Sequence, residues 1–231
     1  MTVGPRMLGP MTLAQAGAAT GPGQEFFDRA RRRLTLEVPA ALCDLNAPAR
    51  RGDLDLDPAA WERAGVVASR PAAVLIPVVD RPMPSVILTV RTADLASHAG
   101  QIAFPGGKID PQDKSPLGAA LREAEEEIGL APALVEPLGY LDLYLTFSGF
   151  RILPTVARVA PGYALTLNQS EVSEAFEVPL AFLMGPENHQ RHSRDWKGIT
   201  RHYYAIPYQD RYIWGVTAGI LRNLYEHIYG E

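Results

Sequence analysis

The stretch that most constrains this chain is Ser115 to Leu130. It opens on a hydroxyl residue able to cap a first helical turn, carries Pro116 where a missing N–H does no harm, and reaches Gly129 near its end. These marks predict a helix. At about 100° per residue, Leu117, Leu121, Ala124 and Ile128 form one apolar stripe, expected to face a sheet. Glu123, Glu126 and Glu127 crowd a neighbouring flank at i, i+3 and i+4, where like charges repel. Such a trio is either a solvated acidic face or a site for a hard cation, because Mg2+ and Mn2+ take oxygen ligands.

Around this helix the sequence reads largely as strands. Ala72–Val79 and Ser85–Arg91 are apolar runs of strand length separated by Asp80-Arg81-Pro82-Met83-Pro84, which predicts a hairpin. Further strands are expected at Glu136–Leu145, Phe150–Val159, Glu177–Pro179, His202–Pro207 and Arg211–Trp214, with an amphipathic helix over Val216–Tyr229. Strands that outnumber helices without alternating with them favour an α/β fold with a mixed sheet over a doubly wound parallel one.

The beginning of the chain is different in texture. Residues 1–23 hold five Gly, three Pro and four Ala with a single charge, too little apolar surface to offset ordering. Gln24–Leu36 reads as a short helix with Phe26, Phe27, Ala30 and Leu34 on one side, and Arg29, Arg31, Arg32 and Arg33 as a solvated or phosphate-binding face. Asn46–Pro58 is Asp-rich and linker-like. The expected division is a flexible tail with a short helix over 1–50, a linker with a helix over 51–69, and a main domain over 70–231.

Composition narrows the partners. Lys plus Arg number 22 against 26 Asp plus Glu, a net charge of −4, without the basic excess that supports phosphate-backbone binding, so no nucleic-acid partner is expected. No apolar run is long enough to span a bilayer, so no membrane association is expected either. Cys43 is the lone cysteine, which excludes an intrachain disulfide and fits a reducing, cytoplasmic setting. Oligomeric state is left open, with a homodimer compatible.

Upstream of the acidic helix stands Phe104-Pro105-Gly106-Gly107-Lys108-Ile109-Asp110, whose paired glycines allow close backbone approach to a ligand. With Arg122-Glu123-Ala124-Glu125-Glu126-Glu127-Ile128-Gly129-Leu130 it resembles the box of the Nudix hydrolases, G-x5-E-x7-R-E-U-x-E-E-x-G-U with U apolar. The second half matches at every specified position. In the first half Asp113 replaces the glutamate, and eight residues rather than seven separate it from Arg122. Ile87-Leu88-Thr89-Val90-Arg91-Thr92 and Gly100-Gln101-Ile102-Ala103-Phe104-Pro105-Gly106-Gly107 are similar to the further signature L-L-T-x-R-[ST]-x3-R-x3-G-x3-F-P-G-G of coenzyme A pyrophosphatases, which share the lengthened box with aspartate. Ala96 stands where that signature has its second arginine.

The resemblance implies a Nudix fold, an α/β/α sandwich with a mixed sheet, over 70–231. It also implies metal-dependent hydrolysis of a small-molecule diphosphate, coenzyme A or its thioesters, with Mg2+ or Mn2+ as cofactor. Carried onto this chain, Glu123, Glu126, Glu127 and the Gly106 carbonyl are expected as metal ligands. Arg122 is expected to orient the carboxylates, and Glu126, Glu127 or a loop acid to serve as base. Glu171 is the preferred loop acid, with Glu174 and Glu177 in competition. Arg91, His98, Gly100, Phe104 and Lys108 are expected at the substrate. Two rivals remain: the same chemistry on ADP-ribose or another nucleoside diphosphate derivative, which Ala96 keeps open, and a silent nucleotide-binding module, which the intact glutamates disfavour.

Overall fold

The computed structural model describes residues 22–47, 49, 51–93, 100–196 and 198–230. Within them lie, in chain order, α1 (Pro22–Arg33), β1 (Arg51–Gly52), α2 (Pro58–Ala64), β2 (Arg70–Val79), β3 (Ser85–Arg91), β4 (Ile102–Ala103), β5 (Gly106–Lys108) and α3 (Pro116–Ile128). There follow β6 (Val135–Tyr140), β7 (Tyr144–Leu145), β8 (Phe150–Val159), β9 (Val172–Pro179), α4 (Leu180–Leu183), β10 (Gln190–Trp196), β11 (Ile199–Tyr208), β12 (Arg211–Trp214) and α5 (Val216–Tyr229).

The main sheet is mixed. β2 and β8 run parallel in unbroken register from Arg70↔Phe150 to Val79↔Val159, whereas β3 and β5 lie antiparallel to β2 and β9 antiparallel to β3. Alternate residues of β2 therefore serve different cores. Ala73 and Leu75 join Ala119, Ala120, Ala124 and Ile128 of α3 on one face. Ile76 and Val78 join Phe26 and Phe27 of α1 and Ile220, Leu221 and Leu224 of α5 on the other. This is the expected α/β/α sandwich. A second sheet, β10-β11-β12, stands beside it.

Three expectations need correction. The stripe of α3 is rotated: Ala119, Ala120, Ala124 and Ile128 are buried with Glu127, while Leu117 and Leu121 are only half-buried. Small alanines let the helix lie close to the sheet, and the leucines flank the contact. The proposed strand Glu136–Leu145 breaks into β6 and β7, with a bulge between Pro137 and Gly139. At Gly139 (φ +149°) a Cβ would stand 2.5 Å from Leu34 Cβ, so the bend admits the end of α1. Finally, the described part of the supposed tail, residues 22–47, is packed. Phe26 and Phe27 are fully buried, and Arg151, itself buried, donates to the carbonyls of Ala41 (2.6 Å), Asp44 (3.2 Å) and Ala68 (3.1 Å). Buried aromatics at the helix spacing outweigh the Gly- and Pro-rich texture around them.

The arginines of α1 belong to this packing. Arg31 pairs with Glu136 at 3.0 Å, Arg29 with Glu25 at 2.8 Å, and Arg33 donates to the carbonyls of His227 (2.9 Å) and Gly230 (2.6 Å). The last contact caps α5, where free carbonyls and the negative end of the helix dipole favour a cation.

Candidate active site at the acidic helix

α3 is held in register by its ends. Ser115 Oγ accepts from the Gly118 N–H at 3.0 Å, and Gly129 closes the helix in the left-handed conformation at φ +68°. Glu127 falls on the buried face and Glu123 beside it, both turned toward β5. The Gly106 N–H donates to Glu127 Oε2 at 3.2 Å. A Cβ at Gly107 would sit 2.6 Å from Glu123 Oε1, so a side chain there would occupy the carboxylate's place. At Gly106 (φ +148°) a Cβ would strike the Ala73 carbonyl of β2. The Gly pair thus has two local reasons, one on each side of β5.

Glu171, in the loop before β9, completes the cluster: carboxylate oxygens of Glu123, Glu127 and Glu171 lie within 4.8 Å of one another. Asn168 Nδ2 donates to Glu171 Oε1 at 3.2 Å. Burial, opposed by the Gly106 N–H and by Arg91, pushes Glu127 up to about 7, and burial also raises Glu123. Oxygen-only donors, converging and partly desolvated, suit a divalent cation, which would turn their mutual repulsion into coordination.

Beside the trio lies a paired knot. Arg122 donates Nε to Asp113 Oδ1 and NH2 to Asp113 Oδ2, both at 3.0 Å, and NH1 to Glu123 (3.1 Å) and Glu126 (2.9 Å). The guanidinium holds Asp113 below the usual carboxylate range. Asp113 also accepts the Asp110 N–H at 2.8 Å, so the loop after β5 and the helix are tied through one carboxylate. The shorter aspartate and the longer spacer deliver a bidentate pair.

The remaining expected site residues are placed as follows. Glu126 is exposed on Arg122, outside the trio. Arg91, at the end of β3, has NH1 3.8 Å from Glu127 Oε1. Gly100, at φ +69°, donates its N–H to the Arg91 carbonyl at 3.0 Å, which places Gly100 beside the end of β3. Lys108 is exposed, and its carbonyl accepts from Arg122. Gly106 meets Glu127 through its N–H rather than its carbonyl. Phe104 is a correction: at 4% exposure it belongs to the core cluster that includes α5 residues and does not face solvent, because burying the ring outweighs leaving it open. Glu174 is engaged by Arg211 (2.6 and 2.9 Å), and Glu177 by Arg81 (2.7 Å) and Tyr163 (2.5 Å), which separates both from the trio. His98 and Ala96 lie outside the described residues.

Helices on both faces of a mixed sheet, with glycine-cradled carboxylates on one of them met by a loop glutamate, define an α/β/α protein whose site is able to hold a divalent cation. The NUDIX domain family matches residues 69–197, and the chain belongs to that family, as a hydrolase acting on pyrophosphate bonds. It is 41% identical to a protein of Photorhabdus laumondii named "Uncharacterized Nudix hydrolase NudL", over 69% of this chain and 86% of that one. It is likewise 41% identical to a protein of the same name from Escherichia coli O7:K1, over 67% of this chain and 81% of that one. Among solved structures, DR0079 of Deinococcus radiodurans aligns over 78% of this chain and 88% of that one, at 14% identity and a TM-score of 0.46.

Proposed function

We propose that this chain hydrolyses the diphosphate linkage of coenzyme A or its thioesters to 3',5'-ADP and 4'-phosphopantetheine or its acylated form. The observation that supports this reading is a convergence. The segment ending in Arg91, similar to the coenzyme A pyrophosphatase signature, meets the acidic box within 3.8 Å at Glu127. A feature tied to that substrate class and the hydrolytic carboxylates thereby share one site.

Glu123, Glu127 and Glu171 would hold the cation, Mg2+ or Mn2+, with Glu126 within reach at the exposed side. When bound, that ion supplies charge against the diphosphate and acidifies water. Arg91 adds a fixed cation where a phosphate oxygen would lie, and acts by position and charge. The Arg122–Asp113 pair holds Glu123 and Glu126 in orientation, so that binding does not have to order them. Glu171, on a loop rather than on α3, is suited to take the proton from the attacking water. The water oxygen then bonds one phosphorus, the bridging oxygen leaves with the other, and the proton is released on separation. Cys43, exposed and unpaired with any other cysteine, suits a reducing compartment such as the cytoplasm.

The test is mass-resolved product analysis after incubation with coenzyme A and Mg2+ or Mn2+, beside a chelator control. Both nucleotide and phosphopantetheine products, with metal only, are expected. Ala96, where the signature has arginine, favours a second reading with the same chemistry on ADP-ribose or a related diphosphate. Turnover of ADP-ribose with coenzyme A untouched would move the substrate and keep the reaction.

A further inference from the structure

Glu171 is the one acid of the trio that no helix carries, and the chain around it is bonded on two sides. At the end of α3 the Thr166 N–H donates to the Ile128 carbonyl and the Asn168 N–H to the Glu127 carbonyl, both at 2.9 Å. These carbonyls lie in the last turn of the helix, where intrahelical donors run out. The approach is close: a Cβ at Gly129 would stand 3.0 Å from the Thr166 nitrogen. On the other side the Thr92 N–H, just beyond β3, donates to the Glu171 carbonyl at 3.0 Å. The loop that carries Glu171 thereby bridges α3 and the strand that ends in Arg91.

β9 adds to this bracing. Val172 and Ala175 both pack in the core beneath α3, although residues three apart in a regular strand face opposite ways. A bulge reconciles them. Val90 pairs with Glu174 and Arg91 with Val172, which leaves Ser173 as an extra residue, and Ser173 Oγ donates to the Val90 carbonyl at 3.1 Å. The start of β9 is thereby brought against α3, where Glu171 meets Glu123 and Glu127.

Asn168 is the hub of the loop. Besides the N–H bound to Glu127, its carbonyl accepts the N–H groups of Glu171 and Val172, both at 2.9 Å. Its Oδ1 accepts from the Ser170 N–H at 3.3 Å and from Ser170 Oγ at 2.6 Å, and its Nδ2 donates to Glu171 Oε1 at 3.2 Å. The amide has one orientation, because a flip would set its oxygen against the Glu171 carboxylate and its NH2 against the Ser170 N–H. Glu123 and Glu127 repel that carboxylate, and an acid on a loop is free to swing away unless something holds it.

We infer that Asn168 is a positioning residue of the hydrolytic site: its amide N–H holds the Glu171 carboxylate against the trio before the cation arrives, with the end of α3 and Thr92 as fixed points. The inference rests on the proposed role of Glu171 as ligand and base. Asn168 acts through Glu171 and touches neither cation nor substrate itself.

The experiment is a double-variant cycle of Asn168→Ser and Glu171→Gln in the full chain. Serine keeps an oxygen able to accept the Ser170 N–H and is too short to reach Glu171. Mn2+ alone is titrated into each protein by calorimetry, and kcat and KM are measured with Mn2+ and coenzyme A. Asn168→Ser is expected to weaken Mn2+ binding about tenfold and to lower kcat about 10- to 30-fold, with KM within about twofold and Tm unchanged. In the Glu171→Gln background the same substitution is expected to change neither Mn2+ affinity nor kcat by more than about twofold, because the carboxylate it acts on is gone. Losses that multiply in the double variant overturn the proposal, as does an Asn168→Ser protein with unaltered Mn2+ affinity. The calorimetric cycle needs no substrate. If coenzyme A is left intact, the substrate reading falls, and if Glu171→Gln keeps full kcat, the base reading falls; in both cases the Mn2+ cycle still decides the role of Asn168.

Discussion

The two helices that cover this sheet are built on opposite plans. α3 buries Ala119, Ala120 and Ala124, lies beside two glycines, and leaves Glu123, Glu127 and Glu171 facing one another with their charges only partly answered. α5 buries Ile220, Leu221, Leu224 and Ile228 against Phe26 and Phe27, and its Glu226 is paired twice. Small residues and unanswered charge hold the chemistry, and large residues and answered charge hold the fold. The difference teaches that stability on one face can sustain electrostatic strain on the other.

The largest expected effect falls on the strained face. Glu127→Gln removes a buried carboxylate of the trio and should lower kcat by about 10³-fold, or about 4 kcal/mol, with thermal stability unchanged or raised. Metal-dependent turnover and a melting curve, taken together, check this. On the supporting face the converse holds. Phe26→Ala should cost about 3–5 kcal/mol and lower Tm by roughly 10 °C, while kcat at low temperature is largely kept. A large kcat loss without a Tm shift would break the division of labour between the two helices.

A smaller effect sharpens it. Asp113→Asn loosens Arg122 without touching the trio, and a fall in kcat of about 10- to 100-fold is expected with little change in KM. Rescue by Asp113→Glu, the residue the box ordinarily carries, would support positioning by a carboxylate as such. The smallest effect is a pH dependence at the end of α5. The Asp142 carboxylate, 3.9 Å from Nδ1, raises His227 above its ordinary value, which favours the protonated form in the fold. That contribution is full below about pH 6.5 and fades as pH rises through the raised folded value. The difference in denaturant midpoint between the unaltered protein and His227→Gln should therefore shrink across that range.

Much of this was legible in the sequence, for identifiable reasons. Ser115, Pro116 and Gly129 are local signals, and they bound α3 as expected. Phe150–Val159 and Val216–Tyr229 carry their own periodicity and form β8 and α5 with those limits. The burial of Glu127 was not legible, because an ionisable residue on a packed face is paid for by a partner distant in sequence, the Gly106 N–H. Nor was β10, whose residues from Gln190 to Asp195 are all charged or polar and which pairs through β11. The preference for Glu171 over Glu174 and Glu177 came from the resemblance, and only three dimensions supply its physical reason, that Arg211 and Arg81 engage the other two. The helix α1 and its apolar side were legible, but what they pack on was not, because the partner, α5, lies far along the chain.

That partnership sets an order of events in the cell. Arg33 caps a helix 194 to 197 residues further on, and Phe26 and Phe27 share a core with α5. A nascent chain must therefore carry these aromatics uncovered until α5 has left the ribosome, and chaperone demand during translation should be high for α1.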